Sequence, residues 1–398
     1  VKSRNMGRTR GRASMLIAAA ASVAAGVSLL PVASASAATA APVVDQQTRA
    51  TFQRLADAVL TDRTDALVDG ARGARKKSLS SGFSGAVKLS AAMAGSEKHV
   101  LSSLEQRKAR LAALGEKYSK GNTVVTLDNT RVQGGKAEVK VTETTTLTYK
   151  KVSGDEPATT GFQAHHALTF TADKRGDWQL TGIRNTDADA PEAVNQPAQP
   201  APAAKPAKAR GTRAGDTPDA PRSNTNRWGI PANNKNLNGA AYDYRAMAAY
   251  AETYWANYNT NYPNFNGHAD GGDCTNFVSQ SLKAGGWKHA PGRVDDYDKW
   301  FGNNEIQSHS FIGVNEWSWF AQNSKRTTPL ASVYQMDVGD VLQMDFDRDG
   351  AKDHTMIVSF RGGDGMPYMT YHSVNTWRRS LASIIASDWN AYYYAYRT

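Results

Sequence analysis

The 398-residue chain has one cysteine, Cys274, so no intramolecular disulfide can form. No cysteine follows the N-terminal apolar run at a position suited to lipid attachment. After Leu30 there is no stretch of about 20 apolar residues, and no membrane anchor is expected in the mature chain. No stripe of Arg and Lys with interleaved aromatics occurs, which argues against a nucleic-acid partner. Tryptophan is nearly missing from the first half, where Trp178 stands alone ahead of Trp228, Trp255, Trp287, Trp300, Trp317, Trp319, Trp377 and Trp389. Acidic residues are the minority, giving a net charge of +10. Part of that excess lies in Lys2, Arg4, Arg8, Arg10 and Arg12. The remainder suits attraction to anionic cell-wall polymers and equally suits plain solubility.

Those five cations precede an apolar run from Met15 to Leu30 and then Ala33-Ser34-Ala35-Ser36-Ala37-Ala38. This is the order of a secretion signal, expected over residues 1–38, and it implies a secreted protein, extracellular or associated with the cell wall. A Pro/Ala-rich stretch over 189–225 lacks apolar periodicity and reads as an extended linker. It divides an N-terminal domain, 43–188, from a C-terminal domain, 226–398. In the first, helical stripes such as Phe52, Leu55, Val59 and Leu101, Leu104, Leu111 precede alternating segments with turns at Gly134-Gly135 and around Gly176. A small α+β domain with an antiparallel sheet is expected, similar in outline to NTF2-like or cystatin-like modules. His165 and His166, adjacent on a strand, point to opposite faces and cannot share a metal.

Beyond the linker, Tyr244–Tyr258 carries a helical stripe. Gly271-Gly272-Asp273-Cys274-Thr275-Asn276-Phe277 then runs from a glycine turn into a second helix ending at Gly285-Gly286. Three strand-like segments follow: 340–345, 354–360 and 368–373. A helix followed by an antiparallel sheet is the order of a papain-like core, making the whole chain α+β. A thiol at a helix N-terminus is stabilised as thiolate by free N–H groups and the macrodipole, which suggests a nucleophile; a free cysteine is also commonly a small buried hydrophobe.

The segments Tyr244–Ala251, Tyr262-Pro263-Asn264-Phe265, Gly272–Leu282, Gly339-Asp340-Val341, Asp353–Val358 and Tyr371-His372-Ser373-Val374-Asn375 together resemble the putative amidase domain family of secreted Gram-positive proteins, over roughly Trp228 to Thr398. More distantly, the Asp-Cys-Thr helix start and strand-borne His are similar to NlpC-type and CHAP-type cell-wall hydrolases. The resemblance implies a secreted papain-like cysteine amidase or peptidase that cleaves an amide in peptidoglycan or its peptides through a thioester, without a cofactor or catalytic metal. Cys274 is then the nucleophile and His354, which opens an apolar strand after an acidic turn, the base. If Gly362–Gly365 closes the hairpin, Arg361 pairs with Met366 and His354 faces Ser373, or His372 after a slip of one residue. His372 is therefore the favoured orienting residue, with Asn375 second. The Cys274 N–H is the default oxyanion donor, with Tyr262 and Asp273 as supporting candidates; Asp273 is equally placed to cap the helix. An acyltransferase of the same fold, or a non-enzymatic wall-binding or scaffold protein, are the alternatives.

Asp345-Phe346-Asp347-Arg348-Asp349-Gly350-Ala351-Lys352-Asp353 matches the first nine positions of a calcium loop, but Met356 stands where a bidentate Glu belongs. An Asp/Gly-rich hairpin turn accounts for the same residues. Trp300, Trp317, Trp319 and Phe320 have the spacing of core aromatics, and less so of a sugar-stacking platform.

Overall fold

The computed structural model describes residues 44–70, 87–187, 193–197, 219–229, 234–238, 241–266 and 272–398. The expected signal segment, 1–38, and most of the Pro/Ala-rich stretch lie outside them. The architecture is mixed α+β, with seven helices among the described residues and an eleven-stranded, mostly antiparallel open sheet.

Helix α1 (Gln46–Asp65) begins at Asp45, whose carboxylate accepts the Thr48 N–H, and α2 (Ala91–Ala113) begins at Ser90, whose hydroxyl accepts the Met93 N–H. The α1 stripe Phe52, Leu55, Ala56, Val59 and Leu60 packs on Val139, Val141, Phe170 and Leu180. These last come from β3 (Lys136–Tyr149), β4 (Thr159–Ala172) and β5 (Trp178–Asn185). The hairpin of β2 (Tyr118–Gln133) and β3 is long, and the alternate burial along β3 follows the period of two in its sequence. A short β1 (Val87–Leu89) pairs parallel to β5.

The second half opens with α3 (Tyr244–Tyr254) and α4 (Cys274–Ala284), then short α5 (His309–Ile312) and α6 (Val314–Asn323). Strands β6 (Thr328–Leu330), β7 (Val341–Asp345), β8 (His354–Arg361), β9 (Pro367–Tyr371) and β10 (Asn375–Ser380) follow, then α7 (Leu381–Ser387) and β11 (Tyr392–Arg397). Strand β7 and β9 are buried along their whole length, because both faces of this part of the sheet are covered. On one face Val341, Ile357, Tyr394 and Tyr396 pack with Phe277 and Val278 of α4. On the other, Met344, Met356, Val358, Met369 and Tyr371 pack with Leu381 and Ile384 of α7.

That second face is shared with the N-terminal half. Leu104, Tyr118, Leu147, Tyr149 and Phe162 belong to the same cluster as Tyr368, Tyr371 and Leu381. The sheet is continuous as well: Asn375, Thr376 and Trp377 of β10 pair with Gln163, Phe162 and Gly161 of β4. Arg110 donates to the Ala386 carbonyl at 2.8 Å, and the Tyr118 hydroxyl to Ser383 at 3.2 Å. The change in composition at the Pro/Ala-rich stretch is thus not accompanied by a break in the core.

Candidate active site

Cys274 is the first residue of α4, and every residue from Cys274 to Leu282 is buried. Asp273 occupies the position before it, but no side chain caps the helix. One Asp273 oxygen instead accepts from the Phe265 N–H at 3.1 Å and the Asn276 amide at 2.8 Å. Its other oxygen meets His372 Nδ1 at 2.6 Å. With no side chain capping it, the first turn of α4 leaves N–H groups that can receive an oxyanion.

The opposite ring nitrogen of His372, Nε2, lies 2.8 Å from the Tyr254 carbonyl oxygen. Both nitrogens thus lie within hydrogen-bond distance of an oxygen. The ring is sandwiched between Phe277 at 3.9 Å and Tyr258 at 4.1 Å, centroid to centroid. Ser373, which follows, has φ of 95°, a left-handed conformation that holds His372 at the abrupt end of β9.

The Cys274 thiol is 4% exposed. It lies 3.7 Å from the Thr275 hydroxyl and accepts the Thr355 backbone N–H. The hydroxyls of Thr275 and Thr355 are 2.8 Å apart, tying the helix head to the start of β8. Burial pushes the thiol up to about 11; the Thr355 N–H and Thr275 hydroxyl pull the other way. The site as it stands therefore holds a thiol, not a thiolate.

His354 lies elsewhere. Side chains alternate along β8, and Thr355 and Ile357 take the face under α4. His354 shares the opposite face with Met356 and Val358, where its ring meets Tyr371 edge-on at 5.2 Å and Phe346 at 6.4 Å. It is fully buried, and neither ring nitrogen has a partner. Burial pushes its pKa down to about 3, with the Arg379 charge adding to the effect. The physical reason is register. Ile357 pairs with Thr370 and Val358 with Met369, which puts His354 in line with Ser373, as the hairpin reasoning anticipated, and leaves His372 on the other face. An irregularity between Val358 and Phe360 brings Arg361 opposite Pro367 at the turn, not opposite Met366.

The structure thus gathers Cys274, Asp273 and His372 at the head of α4. Asn375 is one step behind them, its side-chain oxygen accepting from the Tyr258 hydroxyl at 2.8 Å. Tyr262 is not brought to the thiol: its hydroxyl is bound by Lys283 at 3.0 Å, nine residues along α4 from Cys274. Tyr254, Tyr258 and Thr355 were not anticipated from the sequence. For the tyrosines a signal existed, since Tyr250, Tyr254 and Tyr258 recur at the four-residue spacing of a helical face.

His165 and His166 take separate partners. His165 Nδ1 lies 2.7 Å from Asp187, and His166 Nε2 lies 2.9 Å from the buried Glu143. The acidic turn after β7 brings carboxylate oxygens of Asp345, Asp347 and Asp353 within 4.8 Å of one another. It is closed by its own bonds, Asp345 accepting from the Arg348 and Gly350 N–H groups. Trp300, Trp317, Trp319 and Phe320 are all buried, and Trp300 and Trp317 pack on Trp287.

Residues 241–396 match the family model of the putative amidase domain. The chain is 34% identical over 145 residues to the uncharacterized protein YhbB of Bacillus subtilis (strain 168), a match covering 34% of this chain and 44% of that protein. It is 30% identical over 134 residues to the uncharacterized protein YjcM of the same organism, covering 34% of this chain and 31% of that protein. The chain thus spans less than half the length of these curated relatives. A solved structure, the intermembrane space region of chloroplast protein ARC6, aligns with a TM-score of 0.24 and 17% identity, over 36% of this chain and 98% of that one; a likeness so low carries no argument. It is the family match that speaks to function, and by it residues 241–396 carry a putative amidase domain, pointing to a hydrolase of amidase type.

Proposed function

We propose that this protein is an exported cysteine amidase or peptidase, with a papain-like arrangement of helix and sheet, that hydrolyses amide bonds in peptidoglycan or its peptides. The observation that carries this reading is the position of Cys274: first residue of a buried helix, with no side-chain cap, its sulfur accepting the Thr355 N–H of β8. The thiol gives its proton to a base and the sulfur bonds to the amide carbon. The carbonyl oxygen takes up the negative charge beside the first-turn N–H groups of α4. The C–N bond then breaks, the amine leaves with the proton from the base, and water hydrolyses the thioester. His372 has both nitrogens committed to Asp273 and Tyr254, so it positions the helix head. The base is His354, whose neighbour Thr355 already touches the sulfur. As the first residue of β8, it reaches the α4 face by leaving its pairing with Met344, which also loosens the Asp353 N–H bond to the Met344 carbonyl. Its ring nitrogens have no partner where they now lie, a cost that a move out of this packing would relieve. Export and a wall substrate rest on the basic-then-apolar start of the chain and its positive charge.

A non-enzymatic, wall-binding role is the second reading, favoured by the burial of the thiol and by the present side of His354. The two separate on one experiment. The full chain is incubated with peptidoglycan fragments and new termini are identified by mass spectrometry, alongside Cys274→Ala. Cleavage by the unaltered protein and none by the variant, with similar unfolding curves, supports hydrolysis by Cys274. No cleavage, together with iodoacetamide labelling that stays negligible until the pH approaches 11, supports the binding role.

A further inference from the structure

A cleft of about 430 Å³ lies where the N-terminal sheet meets the head of β10 and the loop after α3. Its walls come from both halves of the chain. Asp128, Lys140, His165 and Asp187 line one side, and Tyr258, Asn266 and Asn375 the other. It adjoins the catalytic head through short links. The Tyr258 ring stacks on His372, its hydroxyl holds Asn375, and Asn266 donates to the Ser373 carbonyl at 2.9 Å.

The N-terminal wall is built in a way that the β2–β3 hairpin by itself does not require. Leu127 pairs with Val141 and Asn129 with Lys140, so Asp128 is the extra residue of a bulge. Bulges re-aim side chains and recur beside binding sites. Here Asp128 is turned onto the face that carries Lys140, Thr142 and His165. The Thr142 hydroxyl donates to one Asp128 oxygen at 2.8 Å, and the second oxygen is left to the cleft. Lys140, two residues from Thr142 on the same strand, projects from that same face. Asp187 is engaged within the wall by His165 Nδ1 at 2.7 Å and accepts from Asn266 at 3.3 Å. The Asn266 side-chain oxygen is buried without a partner. What the cleft offers a ligand is thus one carboxylate, one ammonium group and amide groups that pair with peptide bonds.

We propose that this cleft is a substrate subsite contributed by the N-terminal half, and that it takes a peptide bearing one free ammonium and one free carboxylate, held by Asp128 and Lys140 respectively. It rests on the amidase reading for its link to the Cys274 site, which runs through Tyr258 to His372, and it makes the N-terminal half part of the substrate site. The peptide's amides run along Asn266 and Asn375 toward the helix head.

The test uses the full chain carrying Cys274→Ala, so that binding is read without turnover, and three probes: Nα-acetyl-Ala-Lys-Ala, its Nε-acetylated form and its C-terminal amide. Calorimetry should show binding of the first, weakened about tenfold or more by either blocking group. Asp128→Asn should weaken binding of the free peptide to the level of the Nε-acetylated one and leave the latter's affinity unchanged; Lys140→Gln should do the same for the C-terminal amide. Equal affinities for all three probes, or variants indistinguishable from the parent, would overturn the assignment. The two ideas fail separately: a protein with intact Cys274 that binds as expected but never cleaves removes the amidase reading and leaves the subsite standing, whereas cleavage indifferent to both substitutions removes the subsite alone.

Discussion

Replacing His354 with phenylalanine should stabilise the protein and abolish the hydrolysis proposed above. The imidazole is fully buried, and neither nitrogen has a partner. Each buried polar group left unsatisfied costs about 1–3 kcal/mol. Phenylalanine keeps the contacts with Tyr371 and Phe346 and removes that cost, so a gain on the order of 1–3 kcal/mol is expected near neutral pH. The gain should grow in acid. Burial holds the His354 pKa at about 3 against an ordinary 6.5. Below 6.5 the unfolded chain takes up a proton here and the folded chain does not. Stability therefore falls as pH drops from 6.5 toward 3, by about 1.4 kcal/mol per unit. Between pH 7 and pH 4 this histidine alone should cost the native protein about 3 kcal/mol, a loss His354→Phe escapes. Urea unfolding of both proteins at pH 7 and pH 4 measures the difference directly. Equal acid sensitivity would mean that His354 is not held neutral in the core, and the account of a base at rest on the wrong face would be lost.

Arg379→Ala should lower stability by about 3 kcal/mol in urea unfolding, since this buried guanidinium donates to Tyr371 and Ser383, each at 3.0 Å, and its charge compensates the half-buried Asp388; a loss below about 1 kcal/mol would show that the network adds little. Residues 226–398 expressed alone should aggregate or bind a hydrophobic dye, because Tyr368, Tyr371 and Leu381 lose the cover of Leu104, Tyr118 and Tyr149. A monomeric, cooperatively unfolding fragment would contradict that.

The elements were largely legible because their periodicity is local. The helical stripe from Phe52 to Val59, the alternation from Ala137 to Tyr149 and the glycine stop after α4 each follow from spacing that a single segment sets. What joins the halves is not local. The pairing of β10 with β4 uses Gln163, Phe162 and Gly161 against Asn375 to Trp377, and nothing in either segment names the other. The proline- and alanine-rich composition between the halves describes only the connecting chain. It carries no information on whether the surfaces it connects are covered by each other, and the apolar residues of α7 that meet the N-terminal half look in sequence like any core helix.

For the site, residue types were legible and sides were not. An antiparallel ladder places partners on the same face, so the pair sum that sets His354 against Ser373 also sends His372 to the opposite face. A slip of one residue unites the two histidines, and the choice between these registers depends on where an extra residue is absorbed. The sequence Val358-Ser359-Phe360 gives no sign that the irregularity falls there. The same parity governs the chemistry. Thr355 can touch the sulfur only because His354 does not share its face, and for His354 to act as base the strand must give up the regular conformation of its first residue while Thr355 keeps its place. That movement has a cost, since His354 is paired with Met344 and the Asp353 N–H before it donates to the Met344 carbonyl at 2.7 Å. A histidine in the middle of β8 could not reach the thiol without carrying Met356 and Val358 out of the core.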